Sequence, residues 1–333
     1  MSRVAPSGLG SQPVGEIAGV AEGVYRLKLP VPFPLRFVAP YLVRGEGGWT
    51  AIDAGFDYPP AREAWERGAA EVGCDLSRDL ERVIVTHLHP DHIGLAGWLH
   101  ERSGAPVYML DGEIRNARRL WEGRRTVEDF VRFLVRYGMD REMADPTAGR
   151  TRFSIRLPGE IRTLRPGEEL DLGSVRARIL HVPGHSDYQF MLHDPERRLL
   201  FAADHILLEI TPNIGLWTYT EPHPLARYLE SLKRLRGLKT ELVLPAHGPL
   251  FHDLDGRIEE LLQHHAERLD VTYEAFNGRP ETPYAIARRV FRDGLTDHEL
   301  RFALAETLAH LEHLVLQGRA ERIEGEPVTY RAK

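Results

Sequence analysis

The stretch Thr86-His87-Leu88-His89-Pro90-Asp91-His92 decides how this chain folds and what chemistry it can support. It places three histidines and one aspartate within six residues, directly after the apolar run Arg82-Val83-Ile84-Val85. Alternate residues of an extended segment point to the same side, so the two histidines of His-x-His can contact one ion together. Imidazole and carboxylate groups suit divalent ions such as zinc. The stretch therefore predicts a metal site mounted on the end of a strand.

Three later segments repeat this pattern of an apolar run that leads into a metal-binding side chain. They are residues 178–180 before His181 and His185, residues 199–203 before Asp204 and His205, and residues 242–245 before His247. A chance cluster, or a helix capped by Asp91 before residues 94–98, would explain the first motif alone. Neither explains separate histidines and an aspartate at later strand ends. We therefore expect these segments to converge on one metal site.

These residues resemble the metallo-beta-lactamase superfamily, and the resemblance covers most of residues 16 to 250. It rests on the motif at 87–92, on Pro-Gly-His at 183–185, and on Asp204 and His247. The run 49–55 is also similar to this family's Asp-x-Gly turn. The resemblance implies two metal ions, zinc in the first place, with manganese or iron as alternatives. It implies this ligand set: His87, His89 and His185 for the first ion, Asp91, His92 and His247 for the second, and Asp204 between them.

The resemblance also implies an αββα sandwich, in which two mixed sheets carry helices on both outer faces and the ligands gather at one edge. The residue pattern agrees, because strand-like runs alternate with helical patterns, which is typical of the α/β class. The predicted strands are 24–28, 37–44, 49–53, 82–86, 106–109, 175–181, 188–193, 198–202 and 241–244. We assign residues 1–15 to a flexible lead and residues 16–250 to the catalytic domain.

Residues 112–165 contain no predicted ligand and form a helical insertion in this interpretation. Helices are expected at 113–122 and at 126–137, the second begun by Thr126 with Asp129 three residues later. One apolar face would consist of Trp121, Phe130, Phe133, Leu134 and Tyr137. Arginines would line much of the rest, at Arg115, Arg118, Arg119, Arg124, Arg125, Arg132 and Arg136. They form either a solvated surface balanced by nearby acidic residues or a lid that binds an anionic substrate group.

The last part of the chain, residues 251–333, predicts a small α+β domain. Helices are expected at 255–270 and 297–317, with a short helix begun by Thr282, and a hairpin follows residue 318. This pattern resembles the winged-helix domain of the lactamase-beta-like-2 branch, which includes an endoribonuclease acting on single-stranded RNA and fungal thioesterases. The segment carries 16 Asp and Glu against 11 Lys and Arg. Because duplex binding relies on basic side chains, we expect a structural wall beside the substrate groove.

The remaining histidines of this segment, His264, His265, His310 and His313, are expected to be surface or packing residues because none follows a strand.

Composition limits the partners and the location. The 333 residues are 42% hydrophobic with a net charge of −6, which provides no general attraction to nucleic acid. The sequence has no apolar run long enough for a membrane span, and the first fifteen residues lack the apolar core of a signal peptide. The single cysteine, Cys74, lies outside every ligand motif. We therefore expect a cytoplasmic protein without a membrane partner, and we keep a homodimer among the expected assemblies.

The metal site predicts hydrolysis, because two ions about 3.5–4 Å apart can hold a bridging hydroxide and polarise the bond that it attacks. Asp91 and Asp204 are therefore catalytic candidates as well as ligands. Asp53 is expected to support the ligand loop through hydrogen bonds. His205 and Tyr188 are candidates for substrate contact or proton donation, with packing as the alternative for each.

Three functions compete at this point. The first is hydrolysis of an acyl thioester or ester of a small molecule that carries an anionic group. The second is phosphodiester cleavage of single-stranded RNA, which the resemblance of the tail favours and its acidity disfavours. The third is an iron-dependent sulfur dioxygenase, which needs one metal with two histidines and one carboxylate. His92 and His247 would be superfluous for that chemistry, so it ranks last.

Overall fold

The computed structural model describes residues 12–123, 126–149 and 155–333. In chain order the strands are β1 Ile17–Ala21, β2 Val24–Leu27, β3 Leu29–Pro30, β4 Phe37–Val38, β5 Tyr41–Arg44, β6 Trp49–Ile52, β7 Leu80–Ile84, β8 Val107–Leu110, β9 Ile161–Leu164, β10 Glu169–Asp171, β11 Arg176–His181, β12 Phe190–Asp194, β13 Leu199–Ala203, β14 Leu242–Pro245, β15 Ala320–Ile323 and β16 Thr329–Ala332. The helices are α1 Pro59–Glu71, α2 Pro90–Ile93, α3 Ala96–Ser103, α4 Asp111–Ala117, a π-helix Arg118–Glu122, α5 Val127–Arg136, α6 Arg141–Gly149, α7 Pro224–Leu235, α8 Leu254–Glu274, α9 Pro283–Val290 and α10 Asp297–Leu316.

Two sheets form the centre of the molecule. The first has the spatial order β1-β2-β5-β6-β7-β8-β9, and the second has the order β10-β11-β12-β13-β14. Strands β6 to β9 run parallel to one another, as do β13 and β14, while the other neighbours in these sheets are antiparallel. The sheets are therefore mixed, as the resemblance implied.

Both faces of each sheet are covered, and the side chains alternate accordingly. On β13, Leu199 and Phe201 belong to the core between the sheets, whereas Leu200 packs with the helices outside. Tyr41 of β5 meets Phe201 edge to face across the sandwich, with ring centroids 5.3 Å apart. Strands buried on both faces are apolar throughout and do not alternate with polar residues, which explains their continuous apolar runs. The αββα prediction is confirmed.

The helices on the two outer faces belong to two separate hydrophobic cores. Trp65 of α1 is fully buried against the first sheet, and its indole N–H donates to the Ala54 carbonyl at 2.7 Å. Tyr228 of α7 is fully buried against the second sheet. Helices α8, α9 and α10 contribute to this same second core through residues such as Leu261 and Leu304. The C-terminal segment thus packs on the catalytic region.

Several boundaries differ from the sequence prediction. Residues 161–164 form β9, the last strand of the first sheet, so the helical insertion ends earlier than residue 165. The predicted strand 37–44 is interrupted after Val38 and continues as β5. Residues 1–11 of the expected flexible lead lie outside the described ranges. Residues 12–15, which were predicted to be flexible, are hydrogen-bonded to the chain around β2. The Gln12 amide donates to the Arg26 carbonyl at 3.0 Å, and Gly15 N–H donates to the Lys28 carbonyl at 2.6 Å.

The C-terminal helices and the hairpin lie where the sequence placed them. Helix α8 extends four residues beyond its predicted end, and β15 pairs antiparallel with β16. His265 and His310 are buried between helices, so the packing alternative describes them. The assignment of this segment to the winged-helix class stays a prediction. None of the helices within the described ranges is long and apolar enough to cross a membrane.

Candidate metal centre

The predicted ligands follow strands whose carboxyl ends share one edge of the sandwich. His87 comes after β7, Asp204 directly after β13, and His247 after β14, while His185 lies in the loop between β11 and β12. His89 immediately precedes α2, and Asp91 and His92 lie within that short helix. Parallel neighbours end at the same edge, which brings side chains distant in sequence together. The topology therefore gathers all seven predicted ligands.

The first group consists of His87, His89 and His185, whose nearest ligand atoms all lie within 4.8 Å of one another. Nδ1 of His89 and Nε2 of His185 are 2.8 Å apart. The ring centroids of His87 and His185 are 5.1 Å apart. Three imidazoles from two loops therefore converge on one point.

The second group consists of Asp91, His92 and His247. Nε2 of His247 lies 3.3 Å from Oδ2 of Asp91, and Nε2 of His92 lies 3.9 Å from the same oxygen. Asp204 stands between the groups: its carboxylate oxygens lie 3.4 Å from Nε2 of His92, 3.4 Å from Nε2 of His247 and 3.5 Å from Nε2 of His185. This geometry suits a carboxylate that contacts both groups.

The donor atoms of this cluster fit a metal ion. Nε2 of His87, His92 and His247 and Oδ1 of Asp204 are buried, and none has a hydrogen-bonding partner among the described residues. An unpaired buried polar atom costs free energy, so four of them in one cluster indicate side chains arranged to bind a ligand. Histidine and aspartate are the donors that zinc and similar ions bind.

The outer ring nitrogens are held by acceptors, which orients the inner nitrogens. Nδ1 of His92 donates to Oδ2 of Asp53 at 2.8 Å, Nδ1 of His185 donates to the Asn213 carbonyl at 2.9 Å, and Nδ1 of His247 donates to the Phe37 carbonyl at 2.8 Å. Carboxylates and carbonyls only accept, so these rings carry the proton on Nδ1. In the neutral form of each ring the lone pair on Nε2 then faces the cluster, which is the tautomer that metal-binding histidines require.

The electrostatics of the cluster also favour a cation. Burial lowers the pKa of His89 to about 3, so its ring is neutral and has a free lone pair. Burial would also lower the pKa of His247, but Asp204 and Asp91 outweigh it and raise that pKa to about 10. The negative potential that stabilises a protonated His247 would stabilise a bound metal ion in the same way.

Local backbone geometry places these residues. Ala203, which precedes Asp204, has a φ of +47°, a region that residues other than glycine rarely adopt. Gly184 precedes His185 with a φ of +148°, and a Cβ there would lie 2.5 Å from Cβ of Tyr228. The Pro-Gly-His turn thus requires glycine because α7 approaches it closely.

Tyr188 and His205, the other two catalytic candidates, have no hydrogen bond or ion pair with the ligand cluster within the described ranges. The Tyr188 hydroxyl donates to Glu221 at 2.6 Å, and its ring stacks on His181 with centroids 5.9 Å apart. His205 is fully buried and packs on Tyr228, with ring centroids 4.9 Å apart. Burial lowers the pKa of His205 to about 3. These contacts agree with the packing alternative for both residues.

Four of the five predicted arginines that the structure describes make ion pairs at the surface of the insertion. Arg115 pairs with Asp111, Arg118 with Glu122, Arg132 with Asp129, and Arg136 with Glu324. Arg124 and Arg125 lie outside the described residues. These contacts favour the solvated-surface interpretation, and the lid stays a prediction.

The predicted single apolar face of the insertion is wrong. Trp121 packs with the core outside the first sheet, and its indole N–H donates to the Leu88 carbonyl at 2.9 Å. Phe130, Phe133, Leu134 and Tyr137 pack instead with the core outside the second sheet. Trp121 belongs to the π-helix Arg118–Glu122, whereas the other four residues lie in or directly after α5, so the two parts of the insertion cover different sheets.

Sequence reasoning identified Asp53 as a support for the ligand loop but missed Glu113, Asn213 and Phe37. Oδ1 of Asp53 accepts from the Thr86 backbone N–H at 2.8 Å, in addition to its contact with His92. Phe37 and Asn213 act through main-chain carbonyls, which no side-chain motif can reveal. Glu113 occupies an ordinary position in a helical pattern, and only its complete burial distinguishes it.

Comparisons with known protein families agree with this fold. Residues 34–247 match the metallo-beta-lactamase superfamily, and residues 269–333 match the metallo-beta-lactamase-like C-terminal domain. The chain therefore belongs to the metallo-beta-lactamase superfamily and is a metal-dependent hydrolase of that class, with His/Asp clusters that can hold metal.

Three similar proteins place the chain within the superfamily. The Bacillus subtilis protein named "Probable metallo-hydrolase YqjP" is 25% identical over 303 residues, which are 88% of this chain and 92% of that protein. Human acyl-coenzyme A thioesterase MBLAC2 is 28% identical over 222 residues, 62% of this chain and 71% of that protein. The crystal structure of a beta-lactamase domain protein from Burkholderia ambifaria is 32% identical with a TM-score of 0.89, covering 99% of this chain and 98% of that one.

Proposed function

We propose that this chain is a dinuclear zinc hydrolase that cleaves the acyl thioester of a small molecule. The observation that carries the proposal is the convergence of two ligand groups, each with three side chains, on either side of Asp204. In each group the donor atoms are buried or nearly so, and several lack any other partner within the described ranges. Such an arrangement suits two ions rather than one.

The ligands in this proposal are divided between the two ions as the family resemblance implies. His87, His89 and His185 hold one ion, Asp91, His92 and His247 hold the other, and Asp204 contacts both. When bound, two zinc ions supply the Lewis acidity that activates water and polarises a carbonyl group. Asp53 fixes the ring of His92, and the Phe37 carbonyl fixes that of His247. These contacts keep the donor atoms aimed at the metals.

The substrate class rests on one relative. Human MBLAC2, which is 28% identical to this chain over 222 residues, is named an acyl-coenzyme A thioesterase. Hydrolysis of a thioester joins the water oxygen to the acyl carbon, breaks the C–S bond and releases the thiol with a proton. A dioxygenase with one metal ion would not need the second group, which includes His92 and His247, so the presence of that group favours hydrolysis. No contact within the described ranges favours RNA, so RNA enters as an outcome of the test.

The test compares the zinc-loaded full chain with its His87→Ala variant on acyl-coenzyme A thioesters of several lengths, with released thiol detected by a disulfide dye. The only cysteine, Cys74, is buried and has a pKa raised to about 12 by burial, so the protein itself contributes little thiol signal. We expect kcat/KM to fall by about 100-fold or more in His87→Ala, because a lost ligand disturbs the site more than a lost supporting contact. His252→Ala, which changes an exposed histidine away from the cluster, should match the parent protein.

Two further readouts complete the experiment. Zinc content should be two equivalents per chain, and one equivalent would refute the dinuclear site. Thiol release that survives in His87→Ala would refute the metal-dependent reaction. Cleavage of end-labelled single-stranded RNA without thiol release, lost in the same variant, would replace the thioester with a phosphodiester.

A further inference from the structure

Glu113 of α4 has no solvent exposure, and its hydrogen bonds within the described ranges involve neither the side chain of a predicted ligand nor a basic residue. Its Oε1 accepts hydrogen bonds from the Leu88 backbone N–H at 2.7 Å and from the Ser186 hydroxyl at 2.5 Å. Its Oε2 accepts from the Tyr188 backbone N–H at 3.1 Å. The carboxylate therefore has three donors, and all of them belong to two loops.

These two loops are the ones that carry the first ligand group. Leu88 lies between His87 and His89, and Ser186 follows His185 directly. The loops belong to different sheets, since one follows β7 and the other follows β11. Glu113 thus links the two loops that carry the first ligand group, and it is not itself one of the predicted ligands.

The other side of Leu88 is also held. Its carbonyl accepts from the Trp121 indole N–H at 2.9 Å, so both polar backbone groups of this residue bind the insertion that begins with α4. The N–H belongs to the peptide that joins His87 to Leu88, and the C=O belongs to the peptide that joins Leu88 to His89, so each of these planar units is held by one hydrogen bond. The two neighbouring histidines are consequently set by the insertion as well as by their own strand.

Keeping a carboxylate in this position has an energetic cost. Burial raises the pKa of Glu113 to about 7, against the hydrogen bonds with Ser186 and Leu88 that lower it. An apolar side chain would avoid that desolvation. Conversely, its removal would leave the Leu88 and Tyr188 amides without an acceptor.

We propose that Glu113 is a positioning residue, which sets His87 and His89 relative to His185 by joining their loops through its carboxylate. The inference rests on the proposed metal site. It gives the insertion a role that does not require a lid: α4 and the π-helix form part of the frame on which the first ion is held. Supporting contacts of this kind typically change metal affinity by about 10- to 100-fold.

The experiment titrates the metal-free full chain with zinc against a chromophoric chelator, and compares Glu113→Leu, Glu113→Gln and Glu128→Leu. Glu113→Leu should raise the dissociation constant of one of the two zinc-binding steps by about 10- to 100-fold. Glu113→Gln should restore part of the loss, because its carbonyl can still accept from Leu88 and Ser186 while its amide faces the Tyr188 N–H. Glu128→Leu removes an exposed carboxylate paired with Arg141 and should bind zinc like the parent protein.

A spectrum separates positioning from general stability. The cobalt-substituted protein should show changed d–d absorption in Glu113→Leu, because the geometry of the nitrogen ligands changes, and nearly parental absorption in Glu113→Gln. Circular dichroism of the metal-free variants establishes whether the fold is retained. If Glu113→Leu does not fold, Ser186→Ala, which removes one of the three hydrogen bonds, must still lower zinc affinity by a few fold.

The outcomes distinguish this inference from the proposed function. A parent protein that binds no zinc would refute the metal site itself. A parent protein that binds zinc, together with a folded Glu113→Leu of equal affinity and unchanged cobalt spectrum, would refute only the role of Glu113. Unchanged affinity in Ser186→Ala would refute it where Glu113→Leu cannot be folded.

Discussion

Asp53, at the end of β6, has a backbone φ of +62°, which is uncommon for a residue other than glycine. That conformation turns its carboxylate toward the next strand, where one oxygen accepts from Thr86 N–H and the other from Nδ1 of His92. Strained backbone is retained where the surrounding contacts compensate for it. At this position the compensation comes from a buried network that fixes the ring of the predicted ligand His92.

The Asp53→Asn variant tests this network. Its amide can present one oxygen but not the full negative charge, and its NH2 group would face either Thr86 N–H or the proton on His92. We expect zinc affinity to fall by about 10- to 100-fold with the fold retained, measured by competition with a chelator. Asp145→Asn, an exposed aspartate of α6, serves as the control. Equal affinity of Asp53→Asn and the parent protein would contradict the supporting role.

Helix α10 is connected to the predicted ligand His185 through Asn213. Oε2 of Glu306 accepts from the side-chain amide of Asn213 at 3.0 Å, and the Asn213 carbonyl accepts from Nδ1 of His185. The same loop is held by a hydrogen bond from Leu216 N–H to the Ala305 carbonyl at 2.9 Å. The C-terminal segment therefore shapes the loop that orients a predicted ligand, which goes beyond the wall that the sequence suggested.

Glu306→Ala should weaken zinc binding modestly, because it removes one hydrogen bond that acts on His185 only through Asn213. A loss of about 1 kcal/mol corresponds to roughly a fivefold weaker affinity. Isothermal titration of the metal-free protein with zinc measures it, with Glu267→Ala on the exposed surface of α8 as the matched change. A loss as large as that expected for Asp53→Asn, or none, would contradict this indirect path.

Buried histidines between α7, α8 and α10 affect the stability of the whole molecule. His265 packs on Tyr228 and on His310, with ring centroids 5.4 Å and 5.5 Å apart. Burial lowers the pKa of His310 to about 4, against its hydrogen bond with Glu306, and lowers that of His265 to about 2, with His264, Arg268 and His313 adding to the effect on both. In the unfolded chain these rings bind protons near pH 6.5, whereas in the folded chain they do not.

The unfolded state therefore binds more protons below pH 6.5, and the free energy of unfolding should decrease as the pH falls from about 6.5 toward 4. Each histidine contributes on the order of 1 kcal/mol per pH unit in this window. In His265→Phe, which retains a ring, unfolding takes up about one proton fewer near pH 5. The free energy of unfolding should therefore decrease less between pH 6.5 and 5 than it does in the parent protein. Urea unfolding of the metal-free protein measures it, with exposed His252→Gln as the control. Parallel pH profiles of His265→Phe and the parent protein would rule out the contribution of His265.

The sequence alone predicted the α/β class, most strands and a set of candidate metal ligands, because these follow from local spacing and from the apolar runs that buried strands require. His87, His89, Asp91 and His92 are adjacent in the chain, so their grouping needs no tertiary information. The resemblance then extended the set to His185, Asp204 and His247. The folded structure was needed to show that the insertion divides between two cores, that Tyr188 and His205 have no hydrogen bond or ion pair with the predicted ligands within the described ranges, and that Glu113, Asn213 and Glu306 contact the loops that carry them. Those contacts join segments remote in sequence through main-chain groups and buried carboxylates, and neither leaves a periodic signal in the chain.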